Sequence, residues 1–258
     1  MEDFINVLIL AIIQGITEWL PVSSSGHLVL AQNILNYNPG LLFDVALHFG
    51  TLMAVFVYFG KDIVDIIRDF LMLKFESKKG KMGVLLIIAS IPAAIVGFLF
   101  RNVFESIFNS LLVISLGFGI TGLFLFVASI DLKKKKKEIN YYDSLIIGIA
   151  QVFSILPGIS RSGATISSGV FIGLDAKEAA RFSFLMSVPI IFGANILVIG
   201  NQRLPSNLIW ATIVAFIVGL ATMHILFKFV LTSKKNLRWF GAYALLLAVG
   251  ILGYLWLK

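Results

Sequence analysis

Apolar residues occur in long runs that are apolar on every side. Six runs cover residues 42–60, 83–100, 111–130, 182–200, 208–231 and 239–257, with interiors such as Val84 to Ala89 and Ile209 to Leu220. A helix needs about 20 mostly apolar residues to cross a bilayer, so each run predicts a membrane-crossing helix. A transmembrane β-barrel would alternate polar and apolar positions over segments of about ten residues, and that alternation is absent from the sequence.

Two further apolar regions are interrupted. Residues 4–35 are broken by Glu18-Trp19-Leu20-Pro21-Val22-Ser23-Ser24-Ser25-Gly26-His27, and residues 141–173 by Leu156-Pro157-Gly158-Ile159-Ser160-Arg161-Ser162-Gly163. Proline, glycine and serine together end helices, and each flank is short for a crossing. Non-helical backbone at membrane depth is tolerated where protein buries it or where it lines a wet cavity. The pattern predicts two re-entrant helix–break–helix hairpins; two kinked full-length helices are the alternative that segment length leaves open.

Composition agrees with the runs. The chain is 59% hydrophobic and 14% charged, against about a quarter charged in a soluble domain, and its mean hydropathy is +0.96. Disorder is excluded for the same reason. The absence of cysteine excludes disulfides and thiolate metal sites. Glu2 and Asp3 stand where a signal peptide would be basic, so residues 4–35 are not expected to be one. The net charge of +7 does not form a basic face for nucleic acid. It is gathered in the loops 60–82, 131–138 (with Lys133 to Lys137 in a row) and 232–238, whereas 101–110 and 201–207 carry only Arg101 and Arg203. Basic short loops face the cytoplasm. Threading the chain on that rule places both termini outside and gives each half one hairpin followed by three crossings. Three is odd, so the halves, approximately 1–131 and 140–258, run in opposite directions within a single membrane domain. Gln14 before Pro21 and Gln151 before Pro157 are a faint trace of that duplication. An inverted repeat should bring the two breaks together near the midplane.

Ionisable groups inside membrane segments are costly and mark function. Glu18, His27 and Arg161 fall in the breaks, and Asp44 and His48 in the run 42–60. Gln14 and Glu18 are four apart and share a helical face. Ser23, Ser24 and Ser25 precede a helix start whose free N–H groups favour an anion. Arg161 offers a planar fork for phosphate among Ser160, Ser162, Gly163 and Thr165. One arginine, several hydroxyls, a histidine and a carboxylate suit hydrolysis of a lipid-linked phosphate or diphosphate. Arg161 would stabilise charge while Ser24 or His27 attacks or activates the attacker. Glu18 would orient His27 or hold Mg²⁺ together with substrate phosphates. Asp44 and His48 either line the cavity mouth or belong to a helix start.

The stretches Gln14 to His27 and Pro157 to Thr165, with Phe43-Asp44-Val45-Ala46-Leu47-His48-Phe49-Gly50-Thr51 between them, resemble the signature motifs of the undecaprenyl-diphosphate phosphatases, the bacitracin-resistance family. The resemblance runs from the first residues to the last crossing. It implies a multi-pass enzyme of the bacterial plasma membrane that hydrolyses undecaprenyl diphosphate to the monophosphate and inorganic phosphate. Such an enzyme recycles the lipid carrier for peptidoglycan and confers bacitracin resistance. The implied fold is all-α, with inverted repeats, two re-entrant hairpins and a site open to the outer face. Glu18, Ser24, His27, Ser160, Arg161 and Thr165 are the implied site residues, and dependence on a divalent cation, Mg²⁺ or Ca²⁺, is a family expectation. Gln14 stands where many members carry glutamate. The partners implied are the lipid substrate and the membrane; a homodimer is compatible with the sequence. The competing reading is a transporter or flippase of a phosphate-bearing lipid, because paired broken helices in an inverted repeat also build secondary transporters.

Overall fold

The computed structural model describes residues 2–130, 138–199 and 206–257. The five-lysine run and Arg203 lie outside the described residues. Twelve α-helices are present among those described, with a π-helical turn at Leu226–Val230, a 3-10 turn at Lys234–Asn236 and no strand.

The first interrupted region forms α1 (Glu2–Thr17) and α2 (Ser24–Leu35), and the second forms α8 (Tyr141–Phe153) and α9 (Arg161–Phe171). Local chemistry fixes these ends. The Ser23 hydroxyl accepts from Gly26 N to start α2, Ser160 accepts from Gly163 N to start α9, and an Asn140–Asp143 capping box starts α8. Asn36, left-handed at φ 47°, ends α2.

Five helical stretches are long and apolar enough to cross a membrane: Leu41–Tyr58, Lys78–Leu99, Leu111–Ala128, Leu208–Val230 and Lys234–Leu257. These hold α3 (Leu41–Tyr58), α5 (Lys78–Leu99), α7 (Leu111–Ala128), α11 (Ser206–Ile225) and α12 (Leu237–Leu257). The sixth expected crossing falls in α10 (Ala176–Ile199), whose 24 residues are long enough to cross a bilayer. It carries Lys177, Glu178, Arg181, Ser183, Ser187 and Asn195 and is not one of those five. Outward residues such as Leu116, Leu123, Leu246 and Val249 are more than half exposed, as suits helices that face lipid. The chain is an all-helical, multi-pass membrane protein.

Two short helices were not anticipated: α4 (Gly60–Leu71) and α6 (Arg101–Ile107). The first is strongly amphipathic and lies in a basic loop. Its Asp62 accepts from Arg181 of α10 at 2.6 Å and from Lys79 of α5, clipping three elements together. Burial pushes the Asp62 carboxyl up, but the Lys79 and Arg181 cations outweigh it and hold the group below the usual carboxylate range.

Neighbour relations repeat between the halves. α1 packs on α11 and α8 on α5; α3 packs on α11 and α10 on α5. The α7–α12 and α3–α10 pairs pack directly. The two breaks touch at the centre: a Cβ on Gly26 would lie 3.2 Å from Gly158 Cα, and Ser162 Oγ donates to Leu20 O at 3.1 Å.

Candidate active site

Glu18 follows the last residue of α1 and is buried. Its Oε1 accepts from Arg161 Nη2 at 2.5 Å. Its Oε2 accepts from Ser24 Oγ at 2.6 Å and Gln14 Nε2 at 3.1 Å. Gln14 Nε2 directs its other proton to His48 Nδ1, 2.7 Å away, and that nitrogen lies 3.2 Å from Glu18 Oε2. One carboxylate therefore gathers a serine, an arginine, an amide and an imidazole contributed by α1, both breaks and α3. Arg161 also donates to Ser183 O at 3.4 Å and lies 5.6 Å from the ring centroid of Trp19. An aromatic face beside a guanidinium is electrostatically favourable. Trp19 is fully buried against Phe184, so the arginine rests on rigid core.

These groups open onto a cavity of about 230 Å³ lined by Glu18, Ser23, Ser24, Ser25, His48 and Arg161 on its polar side. Phe108, Ile155, Ile159, Ile190 and Ile191 form its apolar side. Ser24 and Ser25 of the first turn of α2 and Arg161, the first residue of α9, line it, and free N–H groups at a helix start favour an anion. A charged headgroup and an apolar chain can thus be met by the same cavity.

Not every expected residue lines it. Ser160, Ser162, Gly163 and Thr165 are buried beneath Arg161 and hold α9 in place. Ser160 caps the helix and lies 3.1 Å from Ser162 Oγ. Thr165 Oγ1 donates to Arg161 O at 2.7 Å, and a Cβ on Gly163 would meet Ser160 Cβ at 2.9 Å. Asp44 accepts from Gln32 Nε2 at 2.8 Å, outside the lining. His27 is also outside it: Nδ1 is 2.7 Å from Ser23 O and Nε2 is 2.8 Å from the Tyr243 hydroxyl. Both ring nitrogens are engaged, and neither faces the cavity.

Several lining or supporting residues escaped the sequence reading. Ser154 and Asn195 line the cavity. Asn195 is buried, with Nδ2 donating to Ile191 O and Oδ1 without a partner among the described residues. A search of apolar runs for amides as well as charges would have found it. Thr121 of α7 accepts from Ser160 N at 2.9 Å and donates to Gly158 O at 3.0 Å. Tyr243 and Thr121 carry no sequence signal, since a lone hydroxyl in a crossing helix is ordinary.

The donor set does not fit a divalent ion held by the protein. Glu18 is the one carboxylate among the lining residues, and its oxygens already receive three donors, from Arg161, Ser24 and Gln14. No group of three His, Cys, Asp or Glu side chains able to share an ion occurs among the described residues.

The chain is similar to proteins named undecaprenyl-diphosphatase. It is 42% identical to one from Thermosipho africanus over 247 residues, covering 95% of this chain and 97% of that protein. It is 40% identical to one from Moorella thermoacetica over 260 residues, covering 98% of each. It is 38% identical to one from Methanococcus vannielii, covering 96% and 99%. The family model described as bacitracin resistance protein BacA matches residues 7–250, and the chain belongs to that family.

Proposed function

We propose that the chain is a membrane phosphatase that hydrolyses undecaprenyl diphosphate to undecaprenyl phosphate and inorganic phosphate. The observation that carries the reading is the 2.6 Å bond from Ser24 Oγ to Glu18 Oε2, with Arg161 on the other carboxylate oxygen at 2.5 Å. A nucleophile within hydrogen-bond reach of a base that a third group orients is the arrangement covalent catalysis needs. Ser24 Oγ attacks the terminal phosphorus as its proton passes to Glu18. The new O–P bond forms while the bridging P–O bond breaks, and undecaprenyl phosphate leaves. Glu18 gives that proton to the departing undecaprenyl phosphate, then takes a proton from the water that attacks the phosphoserine, and returns it to Ser24 Oγ as inorganic phosphate leaves. Arg161 keeps N–H groups beyond those given to Glu18 and Ser183, and these neutralise the charge on the phosphoryl oxygens. A divalent cation enters this reading only as a counterion of the diphosphate, and no step runs through it.

Hydrolysis is favoured over transport of the same lipid by this serine–carboxylate geometry, since binding alone needs no activated hydroxyl. Within the membrane, α1–α2 and α8–α9 are re-entrant hairpins, the site opens to the outer face and both termini lie outside. The exchange symmetry of the neighbour pairs supports an inverted repeat of residues 1–131 and 140–258: swapping the halves turns α1–α11 into α8–α5 and α3–α11 into α10–α5. The acid-stable phosphoenzyme tests the mechanism. Wild type quenched in acid during turnover should carry one phosphoryl group on the peptide containing Ser24, and Ser24→Ala should lose at least about 10³-fold in kcat. Near-normal turnover by Ser24→Ala contradicts the reading.

A further inference from the structure

Ser23 is the unusual backbone position of the site. It carries a Cβ yet sits at φ 69° and ψ 94°, a conformation that L residues hold only where their surroundings fix it. Asn36 and Leu73 are the other non-glycine residues at positive φ among those described, and neither lines the cavity. Because Ser23 immediately precedes Ser24, whatever holds its peptide also sets the direction of the Ser24 side chain.

His27 supplies that hold. Its backbone N–H and its Nδ1 both bond the Ser23 carbonyl, at 3.2 and 2.7 Å. A carbonyl can only accept, so Nδ1 carries the ring proton and Nε2 is the acceptor nitrogen. The Tyr243 hydroxyl of α12 donates to it at 2.8 Å. The Tyr243 ring stacks on the imidazole at 11° and 5.7 Å, and Phe118 meets it edge-on at 88°. The imidazole is therefore fixed in tautomer and in plane. The other break shows the same device by different chemistry: Thr121 of α7 bonds both Gly158 O and Ser160 N. Each break is pinned by the last long helix of the opposite half.

We propose that Tyr243 is a positioning residue that locks His27, whose Nδ1–H holds the Ser23 carbonyl and so aims Ser24 Oγ at Glu18. This rests on Ser24 being the nucleophile, and it removes His27 from the attacking and proton-accepting roles. An ångström of misplacement at a reacting group can cost about 10²-fold.

Two measurements separate this proposal from the phosphatase reading. The first needs no activity. The chain has three histidines, so side-chain ¹⁵N spectra of histidine-labelled protein in micelles resolve each ring, with His27→Asn identifying the His27 signals. Wild type should show His27 protonated at Nδ1. In Tyr243→Phe, which keeps the stacked ring, the Nε2 resonance should move downfield as it loses its donor. A proton on Nε2 in wild type, or an unchanged Nε2 resonance in Tyr243→Phe, overturns the proposal. The second is kinetic. His27→Ala should lose about 10²-fold in kcat with KM little changed. His27→Asn, whose Nδ2–H reproduces the Nδ1 donor, should stay within about tenfold of wild type, since it keeps the bond that aims Ser24. If His27→Asn is as inactive as His27→Ala while wild type turns over, His27 acts chemically and the positioning role is wrong. If wild type releases no phosphate, the phosphatase reading fails and the spectra still decide the role of Tyr243.

Discussion

Glu18 would be hard to explain as packing. A carboxylate taken out of water costs several kcal/mol even after relaxation, and it persists when a cation and further donors replace its solvent. Arg161, Ser24 and Gln14 do so here. The same logic made Glu18 and Arg161 legible in the sequence, since charge inside an apolar run demands a reason. It did not show that Ser160, Ser162 and Thr165 are buried away from the cavity, because three-dimensional reach has no one-dimensional trace. Asn195 was missed because an amide carries no charge. Arg161 must satisfy Glu18, the Ser183 carbonyl and phosphate at once, which an ammonium cannot do with one geometry. Arg161→Lys should therefore lower kcat/KM by about 10²-fold or more in a phosphate-release assay; near-wild-type values would mean that charge alone suffices.

The elements around the breaks read well from Pro, Gly and Ser, and the helix starts at Ser24 and Arg161 follow from their caps. Gly158 at φ 88° is a position where a Cβ would meet Ile114 O at 2.2 Å, so the close contact of α7 with the second break depends on that glycine. The amphipathic α4 was not foreseen, because its charges read simply as a basic loop. Its Asp62 joins α5 and α10, and its pH dependence follows from the sign of its shift. A carboxyl held below its unfolded value contributes stability above the unfolded pKa and loses it as pH falls through the folded one. Asp62→Asn should lower the detergent melting temperature at pH 7, and the gap to wild type should close as the buffer is taken below the ordinary aspartate range. A gap that persists unchanged in acid would show that the clip works by shape rather than charge.

At the scale of the molecule, the membrane class followed from the lengths of the apolar runs and the meeting of the two breaks from their odd-crossing duplication, whereas the contacts that join them needed the fold. Contact between Gly26 and Gly158 and the ion pair across residues 18 and 161 join segments more than a hundred residues apart. The orientation proposed for them has a direct check. Single cysteines placed in the loop 131–138 should react with a membrane-impermeant maleimide only from the cytoplasmic side; labelling from outside would reverse the topology. The central claim, that this bundle hydrolyses its lipid rather than moving it, is tested most directly by inorganic-phosphate release from undecaprenyl diphosphate by purified protein in detergent, where no gradient exists. Wild type should release phosphate there, more slowly but still measurably in EDTA, and Ser24→Ala should not. No release by wild type, alongside lipid translocation in vesicles that Arg161→Ala abolishes, would contradict the account.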